Sequence, residues 1–267
     1  MRIHKVVFVA AVCSFGALAQ DKITVPISNP SQPVTIKANM MMGSIKVTAG
    51  AGHELFVTAT DGGRGRDRAR DAAPPGMTRI GGRPALNIEE DHNVVTISAG
   101  SMTGSSDLTI ETPVNTNLQL KTMSGAAIEV TGVSGDLEIE NTNGSIKLTN
   151  VSGSVVAHTL NGAVTASLDR VTGNKPMSFT SLNGKVDVTL PGDTKARLRL
   201  KTDNGAIFSD FDVKLEADSN KPVVEDTRGQ SGKYKITVDR SVTGTINGGG
   251  PEYTFQTMNG NILIHKK

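Results

Sequence analysis

A short motif, x-Asn-Gly followed by alternating apolar residues, recurs along the chain and constrains its fold more than any other feature. The copies are TNGSIKL (142–148), LNGAVTA (160–166), LNGKVDV (182–188), DNGAI (203–207) and MNGNILI (258–264), with imperfect copies MMGSIKV (41–47) and MSGAAIEV (123–130). The contiguous glycines Gly125, Gly144, Gly162, Gly184 and Gly205 are 19, 18, 22 and 21 residues apart. A recurring period of about 20 residues is typical of chains built from stacked structural repeats.

The residues after each glycine have the pattern of a half-buried strand. The second residue after the glycine is β-branched in six copies: Ile45, Ile146, Val164, Val186, Ile207 and Ile262. The fourth is again apolar in five copies, Val47, Leu148, Ala166, Val188 and Ile264, whereas Ser209 departs. In the 123–130 copy the apolar residue, Ile128, comes one position later. Alternation at period two indicates strands with one buried face.

A weaker Val-x-Gly element lies midway between several copies, ending at Gly135, Gly153, Gly173 and Gly244. The sequence therefore predicts an all-β fold, a β-solenoid with coils of about 20 residues that each contain two strands and two glycine corners. An antiparallel β-meander or sandwich is the alternative, because Asn-Gly also favours tight hairpin turns. Recurrence favours the solenoid, since stacked coils place the same residue type at the same position of every coil.

Composition supports a thin aliphatic core. Aromatic residues make up 3% of the chain and Trp is absent, while the chain contains 29 glycines. Small aliphatic side chains suit the narrow interior of a solenoid, and glycine and asparagine suit its corners. We expect the stacked corner asparagines to form a hydrogen-bonded ladder, and these are Asn143, Asn161, Asn183, Asn204 and Asn259.

The first residues have the pattern of an export signal. Arg2, His4 and Lys5 precede an apolar run from Val6 to Ala19 that ends in Ala-Leu-Ala. This pattern predicts a signal peptide at 1–19 and a single domain at 20–267. The run is shorter than the about 20 residues of a membrane-spanning helix. We therefore expect an exported protein, periplasmic, cell-surface or extracellular, with no transmembrane segment in the mature chain.

Removal of the signal also changes the charge and the cysteine content. Loss of Arg2 and Lys5 leaves equal numbers of basic and acidic side chains, and Cys13 is lost with them. The mature chain then has no disulfide framework. Its neutral balance gives no general attraction to nucleic acid, which we do not expect as a partner.

Residues 61–84 differ from the rest of the chain, because they are rich in Arg, Gly and Pro and have no apolar periodicity. They predict a flexible surface loop. Arg64, Arg66, Arg68 and Arg70 are candidate contacts for an anionic polymer, since guanidinium groups match phosphate and carboxylate. Residues 62–67 also fit one calcium-binding nonapeptide, but a single copy lacks half of its ligands and the arginines repel a cation. We predict no metal site and no cofactor.

Catalytic signatures of hydrolases, nucleotide-binding proteins and zinc enzymes are absent from the sequence. The histidines outside the signal, His53, His92, His158 and His265, are far apart in sequence, and Glu89 to His92 is typical of a polar hairpin turn. Outward strand positions carry both signs of charge, which favours solvated faces with cross-strand pairs. These positions are Glu129, Glu138, Glu140, Lys147, Lys185 and Asp187. We predict a non-enzymatic protein, and a glycan-active lyase or hydrolase is the alternative.

Together, the x-Asn-Gly coils, the Val-x-Gly half-coils and the ending GTINGGGPEYTFQTMNGNILI (244–264) resemble the bacterial putative-adhesin family of β-strand-repeat proteins. That family is a domain of unknown function, similar to the head domain of autotransporter adhesins. The resemblance covers about residues 35–267 and implies an exported cell-envelope β-helix without assigned catalytic residues. It implies a structural or adhesin-like binding module, with an envelope glycan or another surface protein as partner.

Overall fold

A computed structural model describes residues 22–61, 86–99, 105–216, 223–227, 233–237 and 241–267. These residues contain twenty strands and, within the described ranges, no helix. The strands are β1 (Ile23–Val25), β2 (Val34–Gly50), β3 (Leu55–Asp61), β4 (Leu86–Asp91), β5 (Val94–Ala99), β6 (Ser106–Pro113), β7 (Thr116–Thr131), β8 (Ser134–Asn143), β9 (Ile146–Asn161), β10 (Val164–Val171), β11 (Met177–Asn183), β12 (Val186–Leu190), β13 (Ala196–Asn204), β14 (Ile207–Ser209), β15 (Lys214–Leu215), β16 (Val223–Thr227), β17 (Lys233–Thr237), β18 (Val242–Ile246), β19 (Glu252–Asn259) and β20 (Ile262–Lys266).

The predicted β-solenoid is confirmed, because the coils pair in parallel with their neighbours. Segments before the Asn-Gly corner form one parallel sheet, the front sheet, in the order β5, β2, β7, β8, β9, β11, β19 and β13. Segments after that corner form the back sheet, in the order β6, β2, β7, β9, β10, β12, β20 and β14. Strands β2, β7 and β9 bend around a corner and belong to both sheets.

Antiparallel strands occur at the two ends of the stack. At one end β4 pairs with β5, β3 pairs with β6, and β1 pairs with β3. At the other end β18 pairs with β13 and with β15. Strands β16 and β17 form a separate antiparallel pair. The antiparallel alternative is therefore wrong for the Asn-Gly coils.

The order of coils in space differs from their order along the chain. The last coil, β19 and β20, lies between the coil of β11 and β12 and the coil of β13 and β14. Strand β2 is likewise inserted between β5 or β6 and β7. Insertion covers both sides of the last coil, so Ile262 and Ile264 are buried. In the terminal coil, Ile207 is only partly buried and Ser209 is exposed.

The core lies between the two sheets and consists mostly of aliphatic side chains from alternate positions. The predicted inward positions are buried except Ile207 in the terminal coil, and both Val186 and Val188 have no exposed surface. The aliphatic description is incomplete, because Phe179, Tyr253 and Phe255 are also fully buried. The rings of Phe179 and Phe255 stack with centroids 5.3 Å apart. Burial raises the pKa of the Tyr253 phenol.

The predicted asparagine ladder is confirmed at the front corner. Four of the five side-chain amides donate to the side-chain oxygen of the neighbouring asparagine, and that of Asn143 donates to the backbone carbonyl of Met123. The donor–acceptor distances are 2.8 Å for Asn161 to Asn143, 2.8 Å for Asn183 to Asn161, 2.7 Å for Asn259 to Asn183 and 2.8 Å for Asn204 to Asn259. Insertion of the last coil thus places Asn259 before Asn204 in the ladder.

Glycine is required at these corners chiefly because neighbouring coils approach closely. A Cβ atom on Gly162 would lie 2.3 Å from the carbonyl oxygen of Gly144, and one on Gly184 would lie 2.1 Å from that of Gly162. Neither glycine has a positive φ. Our expectation that glycine provides an unusual corner conformation is therefore wrong at these two positions, where stacking distance decides.

Candidate functional site

The front sheet carries a groove on its outward side, across the first four coils. Its volume is about 510 Å³. Two rows of side chains, each row in register across neighbouring strands, project into it. The first row is Thr96, Lys37, Gln119 and Glu138, and the second is Ser98, Asn39, Lys121 and Glu140. We call this surface the front groove.

Strand alternation produces this polar surface. Ala38, Ile97 and Leu120 lie between the groove residues on their strands and point into the core, each 1% exposed. Successive side chains of a strand point to opposite faces, so the intervening residues must point outward. The same pattern that buries the core therefore lines the front groove with hydroxyl, amide and charged groups.

Two of the four charges in the front groove neutralise each other. Lys121 Nζ lies 2.7 Å from Glu140 Oε2, in the register that joins β7 to β8. The hydrogen bond to Glu140 is the main reason that the pKa of Lys121 is raised, and the charges of Glu140 and Glu138 add to it. Within the described ranges, Lys37 and Glu138 have no ion-pair partner.

A second concavity of about 360 Å³ adjoins the front groove and shares Gln119 and Glu138 with it. Asp136 lies at this second concavity and accepts hydrogen bonds from Lys175 Nζ at 2.7 and 2.8 Å and from Ser154 Oγ at 2.7 Å. The Lys175 hydrogen bond, followed by that of Ser154, lowers the pKa of Asp136. The two concavities form one polar surface, in which Lys37 and Glu138 are the unneutralised charges.

The chemistry of this surface suits hydrogen bonding to a polar ligand. Its outward side chains offer hydroxyl, amide and charged groups, the exposed Val156 adds an apolar side chain to the second concavity, and no aromatic residue of the described chain lines either concavity. No cluster of three or more His, Cys, Asp or Glu side chains in the described ranges is arranged to hold a metal ion.

The candidate residues named from the sequence fall partly outside and partly inside the described ranges. Arg64, Arg66, Arg68 and Arg70 lie outside the described residues, as does most of the loop predicted at 61–84, so their polymer contact stays a prediction. The six predicted outward positions are all exposed or partly exposed. Ion pairs of two kinds involve these positions. Glu140 pairs with Lys121 of the neighbouring coil, whereas Lys185 and Asp187 pair within one coil at 2.8 Å.

The histidines of the described residues lie on separate parts of the fold. His158 is exposed on the front sheet, and His53 is exposed between β2 and β3. His265 contacts Asp187 and Asp210 on the back sheet, at 3.3 and 3.2 Å. His92 contacts Asp91.

The polar hairpin predicted at Glu89 to His92 is present, but Glu89 to Asp91 belong to strand β4 and the turn itself is at His92 and Asn93. His92 and Asn93 both have positive φ between β4 and β5, as in a type I′ turn. Hydrogen bonds from Ser28 and Asn93 lower the pKa of Glu90, with the Ser28 hydroxyl contributing most.

Sequence reasoning missed a second ladder beneath the asparagines. A hydroxyl two residues before the corner asparagine donates to a glycine carbonyl of the neighbouring coil, in four coils at 2.8 to 2.9 Å. The four donors are Thr159, Ser181, Thr257 and Thr202. The recurrence of Ser or Thr two residues before the corner asparagine could have predicted this ladder from the sequence. The front groove had no such signal, because its rows come from strands that are not consecutive in sequence.

The fold and its polar outer face define a β-solenoid whose surface is suited to binding. The sequence model of the Toastrack DUF4097 family, a domain of unknown function, matches residues 15–247, and the chain belongs to this family. The predicted resemblance to a family that is a domain of unknown function is confirmed at this level, and its adhesin-like character stays a prediction. The further likeness to autotransporter adhesin heads stays a prediction.

Two solved structures are similar to this chain. One is a putative cell adhesion protein from Clostridium sporogenes ATCC 15579, with a TM-score of 0.46 and 12% identity over 92% of this chain and 99% of that one. The other is a putative adhesin from Bacteroides fragilis NCTC 9343, with a TM-score of 0.27 and 9% identity over 93% of this chain and 98% of that one. No curated protein matches the chain. The described residues include no helix long and apolar enough to cross a membrane.

Proposed function

We propose that this chain is a non-enzymatic, exported module of the cell envelope that binds an envelope glycan through its front sheet. The observation that carries the proposal is the joined polar surface of the front groove and its neighbour, about 510 and 360 Å³. Surfaces of this size are in the range of ligand sites. A hydroxyl-rich polymer can exchange its water hydrogen bonds for those of Asn39, Gln119 and Thr96.

Export is supported by the sequence alone. Arg2 and Lys5 precede the apolar run that ends in Ala19, as in a secretory signal. A fusion of residues 1–30 to a reporter that folds only outside the cytoplasm tests this point. We expect activity that depends on the apolar run, and a charge placed at Val9 should abolish it.

The absence of enzymatic activity is supported by the state of the carboxylates. Glu138 and Glu140 are the acidic pair of the front groove, and Lys121 neutralises Glu140. Glycan hydrolysis uses two carboxylates that flank the scissile bond, whereas Glu138 and Glu140 lie two residues apart on the same face of strand β8.

Retention of the purified mature chain on immobilised envelope polysaccharides tests binding. We expect saturable retention that Gln119→Ala and Asn39→Ala weaken. Turnover of an acidic polysaccharide that is lost in Glu138→Gln would instead support a lyase or hydrolase and overturn the non-enzymatic proposal.

A further inference from the structure

The two unneutralised charges of the front groove have opposite sign and stand in one row. Lys37 is in register with Gln119, and Gln119 is in register with Glu138. Neighbouring strands are about 4.8 Å apart, so the Lys37 and Glu138 backbones are separated by about 10 Å. All three side chains are exposed on the same outward face.

The surrounding charges make this pair distinctive. Lys121 and Asp136, the nearest groove charges on neighbouring rows, are held by Glu140 and Lys175. Within the described ranges neither Lys37 nor Glu138 has an ion-pair partner, although the charge of Glu138 also acts on Lys121, and Gln119 is in register between Lys37 and Glu138. A ligand with one sign of charge would be attracted to one end of the row and repelled from the other.

From this arrangement we infer that the front groove recognises a zwitterionic glycan, with a carboxylate or phosphate on one sugar and a free ammonium group on a neighbouring sugar. Lys37 pairs with the anion, Glu138 pairs with the ammonium, and Gln119 with Asn39 binds the hydroxyls between them. This inference rests on the proposed glycan binding and adds the charge pattern of the ligand.

A glycan fits this surface better than a peptide. The backbone groups of the front sheet are already used in parallel pairing, so a peptide cannot join the sheet here. The outward side chains of the front groove are polar, and the apolar residues that line it, Ala38, Ile97 and Leu120, point into the core. Among the described residues the groove therefore has no exposed apolar pocket of the kind that recognises peptide side chains. Vicinal hydroxyls match the paired donor and acceptor groups of Asn and Gln.

The test uses the full mature chain and an oligosaccharide that alternates carboxylate-bearing sugars with sugars that have free amines. Its N-acetylated form lacks the cation, and its carboxyl-reduced form lacks the anion. Titration calorimetry at low salt should give about two- to fivefold tighter binding of the parent than of either derivative, because each derivative loses about one exposed ion pair. The preference should fall as salt rises.

Charge reversal assigns the preference to these residues. Lys37→Glu and Glu138→Lys should each remove it, and the double reversal should restore it, because an alternating polymer can bind in the opposite direction. Lys147→Glu, an exposed change on the back sheet, is the matched control and should have no effect.

Three outcomes would overturn the inference in different ways. Equal binding of all three oligosaccharides would refute recognition of a zwitterionic ligand and leave the proposed glycan binding intact. A preference that persists in both single reversals would place the ligand elsewhere. Failure to bind any glycan would overturn the inference and the proposed function together.

Discussion

Val186 tests the solenoid most directly, because its side chain has no exposed surface and lies between Val164 and Ile262 of the neighbouring coils. Val186→Asp removes a buried apolar side chain, which costs about 1.5–3 kcal/mol. The carboxyl group becomes protonated instead of staying charged, and without a hydrogen-bond partner it adds about 1–3 kcal/mol. The expected loss of unfolding free energy is therefore about 4 kcal/mol.

Such a loss is a large part of the total stability of a typical domain, about 5–15 kcal/mol. Thermal unfolding followed by circular dichroism should show a midpoint lowered by about 10 °C. Thr189→Asp, on the same strand but partly exposed on the outward face, is the control and should change stability by no more than about 0.5 kcal/mol. Equal midpoints for the two variants would refute the inward assignment of Val186.

Three further predictions concern the inserted coil, the ion pair of Asp136 with Lys175, and the arginines of the loop predicted at 61–84. Asn259→Ala should destabilise more than Asn204→Ala, by about 1 kcal/mol in thermal unfolding, because Asn259 bonds to asparagines on both sides; equal losses would contradict the insertion. The pKa of Asp136 lies below its usual 3.8, so its contribution is present above about pH 4 and is lost as the pH falls through the lower, folded-state value. Lys175→Met should therefore reduce stability at pH 7 by less than about 1 kcal/mol and have little effect at pH 2 in urea titrations. Deletion of 64–83 should abolish salt-sensitive retention on an anionic polymer if the arginines bind it, and unchanged retention would exclude that role.

Much of the fold was predictable because the repeat encodes it locally. The glycine and β-branched positions indicate which residues of each strand point inward, as the burial of Val186 and Ile262 confirms. The asparagine ladder was predictable because identical side chains at one corner must stack. The stacked aromatic pair was harder to predict, since Phe179 and Phe255 are far apart in sequence and meet only through the inserted coil.

The candidate site was much less accessible from the sequence. Glu138 and Glu140 were recognised as outward, but Lys37 was not considered with them. Their proximity depends on β2 lying beside β7, a contact that skips the intervening strands. The candidates that the sequence offered were the arginines of 64–70, because a cluster of charges that is contiguous in sequence can be recognised without knowing the fold.

The sequence by itself determined the all-β repeat, the corner chemistry and the inward positions, because these depend on residues within one coil of about 20 residues. The tertiary structure decided the order in which coils stack, and with it the neighbours of the first and last coils. Any coil with a compatible inner face can pair with any other, because the backbone hydrogen bonds between coils do not depend on the side chains. A coil that is inserted between two others has both of its sides covered, and this burial favours insertion of β2 and of the last coil. Insertion of β2 in turn assembles the front groove.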